Sequence, residues 1–361
     1  MKITEIELID RLLILGAPGV GKTEIVMEKA RDEAKKLGKL FVDLREADSA
    51  TINDIISDPR KYYVYIRIVA PHIFPEDLGI PRERDGYVEF LPPKILKILT
   101  LPDIHGLIFI DEITNVQRDD QISMYYSLIL EKEAGFQLKL SKNIKIILAG
   151  NTPEWSEIVR PLPKPLRNRM IVINVSPPSV DEWIEYMNKR YGDDWEKLVA
   201  VYLKTNPDDF LKPPSEDFVN FPTPRSWTQL ALTLKKVKSK ELAESVIYGS
   251  VGKDVGDKFI AMYFANIDVA EALEKISDDP STFDEYNISA QSLIINALSQ
   301  QPISVLKAKY SKFIEYLLDE HREFLVIMIL LMNANKRSEF KKTFHEIARK
   351  LVDAIAEYMS V

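Results

Sequence analysis

The chain has 361 residues, 46% of them hydrophobic and 29% charged, which is the profile of a soluble globular protein with room for a full α/β core and a smaller helical domain. Its 48 Lys and Arg stand against 55 Asp and Glu, a formal charge of −7, so the molecule as a whole repels phosphate backbones and nucleic-acid binding would need a local basic patch. Cysteine is absent, which excludes disulfides, thiolate metal sites and cysteine nucleophiles.

The N-terminal stretch MKITEIELIDRLLILG has acids where a signal peptide needs an unbroken apolar region, so a cytoplasmic protein is expected. The longest apolar run, Phe324 to Met332, is shorter than the ~20 residues that span a bilayer and reads as a buried helix. No membrane association is expected.

Five apolar runs read as buried parallel strands: Leu12 to Leu15, Tyr63 to Val69, Leu107 to Ile110, Ile144 to Ala149 and Ile171 to Val175. Leu40 to Leu44 is a sixth candidate, at an edge. Thr23 to Leu37 follows the first strand with good helix formers and ends at Gly38, which opens a βαβ unit. Two short hairpins are expected, one around Gly86 to Leu91 and one around Gly135 to Leu140.

From Pro177 onward helical periodicity replaces the strand pattern, first over Val180 to Met187 and Trp195 to Leu203. A Pro-rich acidic loop, Asn206 to Pro222, leads to Thr223-Pro224-Arg225, where Thr223 can cap a helix with Pro224 at its first position. Further helices break at Asp278-Asp-Pro280 and at Asn333 to Asn335. The expected division is an α/β domain over residues 1–176, a helical domain over 177–275 and a helical extension over 276–361.

Gly16-Ala-Pro-Gly-Val-Gly-Lys-Thr23 fits G-x-x-x-x-G-K-[ST] between an apolar strand and a helix, the context in which backbone amides and a helix N-terminus cradle phosphates. Gly16, Ala17, Pro18, Gly19, Val20, Gly21, Lys22, Thr23 and Glu24 are therefore the candidate nucleotide-binding residues. Lys22 is expected on the β- and γ-phosphates and Thr23 on Mg²⁺. Leu107 to Glu112 is an apolar run ending in two acids at the carboxyl end of a parallel strand, a Walker B pattern. Asp111 is the candidate metal-shell acid and Glu112 the candidate general base. Ile146 to Asn151 is a further buried strand whose end residue, Asn151, could orient the lytic water or could simply occupy the turn before Thr152-Pro153.

With these motifs the chain resembles the AAA+ superfamily, and within it the MoxR-type ATPases of the helix-2-insert clade. The resemblance implies a P-loop parallel sheet flanked by helices, an all-α lid, ATP and Mg²⁺ as cofactors, and a ring, hexameric in such proteins. Leu162-Pro-Lys-Pro-Leu-Arg-Asn-Arg-Met170 is similar to the family box L-P-x-P-L-x-x-R-F, with Met170 in place of Phe. The box arginine falls on Arg169, with Arg167 beside it, and the resemblance implies contact with the nucleotide of a neighbouring subunit; an ion pair within the subunit is the other reading. Phe221 to Trp227 is similar to the sensor 2 motif, which puts Arg225 on the nucleotide, against a plain helix-surface arginine.

Glu76 to Pro81 is similar to the family segment D-L-x-G-x-P but one residue shorter. The resemblance makes the two hairpins ring-face or pore elements and Tyr87, Phe90 and Phe136 substrate contacts, unless they pack. It implies a remodelling motor or chaperone acting on a protein partner, often one of von Willebrand factor A type. A nucleic-acid motor is the alternative, drawn from Lys139, Lys142, Lys145, Lys235, Lys236, Lys238 and Lys240, which as solvated lysines need no such role.

Overall fold

The computed structural model describes residues 2–135, 138–155, 159–214, 220–265 and 268–358. The chain divides into two compact units, Met1–Pro177 and Pro178–Val361.

The first unit is built on a six-stranded, wholly parallel sheet. Its strands are β1 (Leu12–Leu15), β2 (Leu40–Asp43), β3 (Tyr62–Val69), β6 (His105–Asp111), β9 (Ile144–Gly150) and β10 (Ile171–Asn174), in the order β10-β1-β9-β6-β3-β2. The continuous apolar runs follow from this position: Leu107, Ile108, Phe109 and Ile110 of β6 and Ile146, Ile147, Leu148 and Ala149 of β9 are wholly or almost wholly buried. Strand β2 forms the edge beside β3, and its first residue, Leu40, is exposed. This is the P-loop parallel sheet flanked by helices that the sequence leads one to expect.

The helices are α1 (Lys22–Lys36), α2 (Ser49–Ser57), α3 (Lys94–Ile98), α4 (Asp119–Glu131) and α5 (Lys164–Arg167). Helix α1 buries Val26, Ala30 and Ala34 at helical spacing. Two antiparallel hairpins leave the sheet. Strands β4 (Ile80–Arg84) and β5 (Tyr87–Leu91) pair across a turn at Asp85-Gly86, and β7 (Glu133–Ala134) pairs with β8 (Leu138–Lys139). Phe136 lies outside the described residues.

The second unit is helical. Helix α6 (Val180–Tyr191) carries a capping box in which Ser179 and Glu182 bond each other's backbone. The helix expected from Trp195 begins only at Leu198, as α7 (Leu198–Thr205). Trp195 is instead held in the preceding loop, its indole N–H donating 3.0 Å to Gly192 O. Helix α8 (Pro224–Leu234) starts as its sequence implies: Thr223 Oγ1 accepts from Ser226 N at 3.1 Å, with Pro224 at the first position. The run at Phe324 lies in the buried helix Arg322–Leu331. One apolar cluster runs from Trp183 to Leu351, so the helices on both sides of residue 275 share a core.

Candidate nucleotide site

Four chain segments meet at the carboxyl end of the sheet. The loop after β1 turns into α1 through Gly19 and Gly21, whose φ angles of 72° and 90° are strained for any residue with a side chain. Gly21 is the N-cap of α1, and the successive amides of such a loop form an anion-binding concavity facing the helix's positive end. Lys22, 8% exposed, folds back over this loop: its Nζ donates to Gly16 O and Ala17 O, both at 2.8 Å, and to Asn151 Oδ1 at 3.0 Å. The ammonium is thereby fixed over the mouth of the loop and tied to the end of β9. Glu24, in the first turn of the helix, is exposed.

Thr23 Oγ1 donates to Asp111 Oδ2 at 2.9 Å, joining the start of α1 to the last residue of β6. Asp111 is 6% exposed, and its other oxygen accepts from Glu112 N at 3.0 Å. A hydroxyl and one carboxylate converge here. That donor set suits Mg²⁺, which is held by one or two carboxylates with phosphate and water oxygens completing its shell. Among the described residues no group of three or more His, Cys, Asp or Glu forms an all-protein metal cage.

The sequence does not point to Arg67. It lies on β3, and both its Nε (3.0 Å) and Nη2 (2.7 Å) donate to Asp111 Oδ2. That oxygen thus accepts from Arg67 and Thr23 together. A lone cation inside the apolar run Tyr62–Val69, one strand from the two acids, was the available signal.

Glu112 is half-buried with φ 58° and ψ 31°, the left-handed region that disfavours side-chain-bearing residues. Asn115 Nδ2 sits 3.5 Å from Glu112 Oε2, and the Asn115 Oδ1 is buried without a partner among the described residues. Such backbone outliers concentrate at working sites.

Arg167 ends α5 and Arg169 stands in the turn before β10; both are exposed and in no ion pair among the described residues. Arg225 is exposed on the first turn of α8, in the second unit. In the β4–β5 hairpin every residue is exposed, including Ile80, Tyr87, Val88, Phe90 and Leu91, with Tyr87 at 76%. Beneath it a cleft of about 490 Å³ is lined by Pro75, Leu78, Ile80, Phe90, Gly135 and Leu138.

No family model matches the sequence, and no curated protein does. Among solved structures the chain is similar to the Thermotoga maritima RuvB Holliday junction branch migration motor, at 16% identity and a TM-score of 0.30, over 87% of this chain and 80% of that one. It is similar also to the Aeropyrum pernix ORC2 protein in its ADPNP–ADP complexes, at 13% identity and a TM-score of 0.37, over 89% and 88%. A third is NtrX from Brucella abortus in complex with ADP, at 15% identity and a TM-score of 0.30, over 99% of this chain and 67% of that one.

Proposed function

We propose that the chain is a Mg²⁺-dependent ATPase of the AAA+ kind that hydrolyses ATP to ADP and phosphate. The observation that carries this reading is the meeting of Lys22, Thr23, Asp111 and Asn151 around a glycine loop at the mouth of α1. A P-loop that only turned the chain would have no need of a buried lysine over it or of a strand-end acid bonded to its threonine.

The loop amides and Lys22 bind and orient the terminal phosphates. Thr23 and Asp111 would hold Mg²⁺, which when bound would neutralise phosphate charge. Glu112 accepts the proton of the attacking water, and Asn151 fixes that water's direction. Positioning and charge neutralisation supply most of the catalysis, without a covalent intermediate.

The test is calorimetric titration with Mg·ATP together with phosphate release by the full chain. Micromolar binding and turnover that both vanish in Lys22→Ala are expected; a chain with no affinity for Mg·ATP sinks the reading.

The finer reading is a MoxR-type motor. Arg167 and Arg169, exposed and in no ion pair among the described residues, support a finger acting on a neighbouring subunit's nucleotide, so that ring assembly completes the site, and Arg225 serves as its sensor on the helical unit. The exposed apolar β4–β5 hairpin supports a protein partner, of von Willebrand factor A type by resemblance. The lysines weigh less for nucleic acid: Lys145 Nζ is engaged by Glu33 at 2.6 Å and by Leu8 O, and Lys240 lies over the Phe264 ring.

A further inference from the structure

Thr114 occupies the turn just past the two strand-end acids, and it is 5% exposed. Two segments close on it. Its Oγ1 accepts the backbone N–H of Asn151 at 3.0 Å, and its carbonyl accepts from Arg160 N at 2.7 Å, in the stretch that leads to Leu162–Met170. Its side chain lies flat against Gly150. A Cβ built on Gly150 would stand 2.6 Å from Thr114 Cγ2 and 2.7 Å from its Oγ1, so the approach is possible only with glycine at that position. On its own segment, Asn115 N closes the turn onto Glu112 O at 2.9 Å.

We infer that Thr114 is a positioning residue for hydrolysis: its hydroxyl sets the height of the Asn151 backbone against the Glu112 turn, so that the asparagine amide and the carboxylate address the same water. The inference rests on the ATPase reading above. Thr114 itself touches neither phosphate nor water. Its hydroxyl takes the one donor that the end of β9 offers at this point, and a buried N–H without an acceptor would draw the strand end elsewhere. Lys22, which also donates to Asn151 Oδ1 at 3.0 Å, stays over the loop through its 2.8 Å bonds to Gly16 O and Ala17 O. A displacement near 1 Å in such a pair costs up to about 100-fold in rate while leaving the affinity of the phosphate loop intact.

The experiment is a double-mutant cycle on turnover in the full chain, with Mg·ATP affinity measured alongside. Thr114→Val keeps the shape and removes the acceptor; Thr114→Ser keeps it. Thr114→Val is expected to lower kcat about 10- to 100-fold with affinity within about threefold of the parent, and Thr114→Ser to restore most of the rate. In an Asn151→Ala background the Thr114→Val change is expected to cost almost nothing further, since the residue it positions is gone. Equal turnover of Thr114→Val and parent, or a loss that multiplies fully with that of Asn151→Ala, overturns the inference. Should Thr114→Val fail to fold, Thr114→Ala, which removes the acceptor without adding bulk, enters the same cycle with the same outcomes. A parent chain that does not hydrolyse ATP sinks the ATPase reading itself, whereas an active parent with an additive cycle sinks only the role of Thr114.

Discussion

Arg67 sets two of its guanidinium nitrogens on a single oxygen of Asp111, the same oxygen that Thr23 reaches from the start of α1. The carboxylate is buried and the arginine is 29% exposed, so the pair is only partly screened by water. Replacing Arg67 with Met leaves that charge with Thr23 Oγ1 and Glu112 N as its remaining donors. Arg67→Met is expected to lower the stability of the nucleotide-free protein by about 1–3 kcal/mol. Mg·ATP is expected to return more of that stability than it adds to the parent, because a bound cation takes over the arginine's charge. Thermal melting with and without Mg·ATP checks both signs; equal ligand-induced shifts in the two proteins would contradict the second.

Glu112→Gln keeps the volume and the Asn115 contact but cannot accept a proton. It is expected to bind Mg·ATP at parent affinity and to lose turnover by two orders of magnitude or more, roughly the share of a general base. Filter binding and single-turnover phosphate release separate the two; hydrolysis at the parent rate removes Glu112 from the base role.

Arg169→Ala removes an exposed side chain with no ion pair among the described residues, so stability should move by less than about 0.5 kcal/mol. If the arginine serves a neighbouring subunit, ATP affinity stays and turnover of the assembled protein falls by about 1,000-fold or more. Mixing Arg169→Ala with Glu112→Gln chains should then restore part of the activity, because mixed assemblies bring an intact base beside an intact arginine.

Tyr87→Ser with Phe90→Ser should leave melting temperature and basal hydrolysis within error, since both side chains are exposed in a hairpin that contributes no strand to the central sheet. Partner-stimulated turnover is the quantity expected to fall. Loss of basal turnover would place the hairpin in the nucleotide machinery instead.

Lys197 gives a pH signature in the helical unit. Burial pushes its ammonium down to about 8, although Asn188 Oδ1 at 2.7 Å and Gly192 O at 2.8 Å accept from it and Asp193 lies 3.8 Å away. Between pH 8 and the ordinary lysine value the unfolded chain holds a proton that the folded chain has released, so stability rises with pH across that window. The gain by pH 9.5 is about 2 kcal/mol. Above pH 10 the buried Tyr63, Tyr65 and Tyr202, whose phenols burial holds well above their usual range, reverse the trend because the folded state keeps protons that the unfolded state loses. Urea melts at pH 7.5 and 9.5 are expected to show the rise in the parent and a smaller one in Lys197→Met, where Lys336, also pushed down by burial, still contributes.

Much of the sheet could be read from the sequence because its physics is local: strands buried on both faces are continuous apolar runs, and a glycine loop running into a helix marks one place in the fold. The glycine loop and the two strand-end acids shared that advantage. Arg67 was hidden because its partner is 44 residues away and its own segment reads only as an interrupted strand. Thr114 was hidden for a related reason, since a threonine two residues after an acidic pair acquires meaning only from the space that Gly150 leaves open. The late start of α7 reflects tertiary override, with Trp195 more useful to the core in a loop than in a helix. Arg167 and Arg169, if they serve a neighbouring subunit, depend on a surface that no single chain's sequence encodes.

If Glu112 is the general base, its left-handed backbone sets activity against durability. A glycine there would relieve about 1 kcal/mol or more of conformational cost, so Glu112→Gly should melt later than the parent while turning over nothing. Selection for thermal endurance alone would discard the carboxylate.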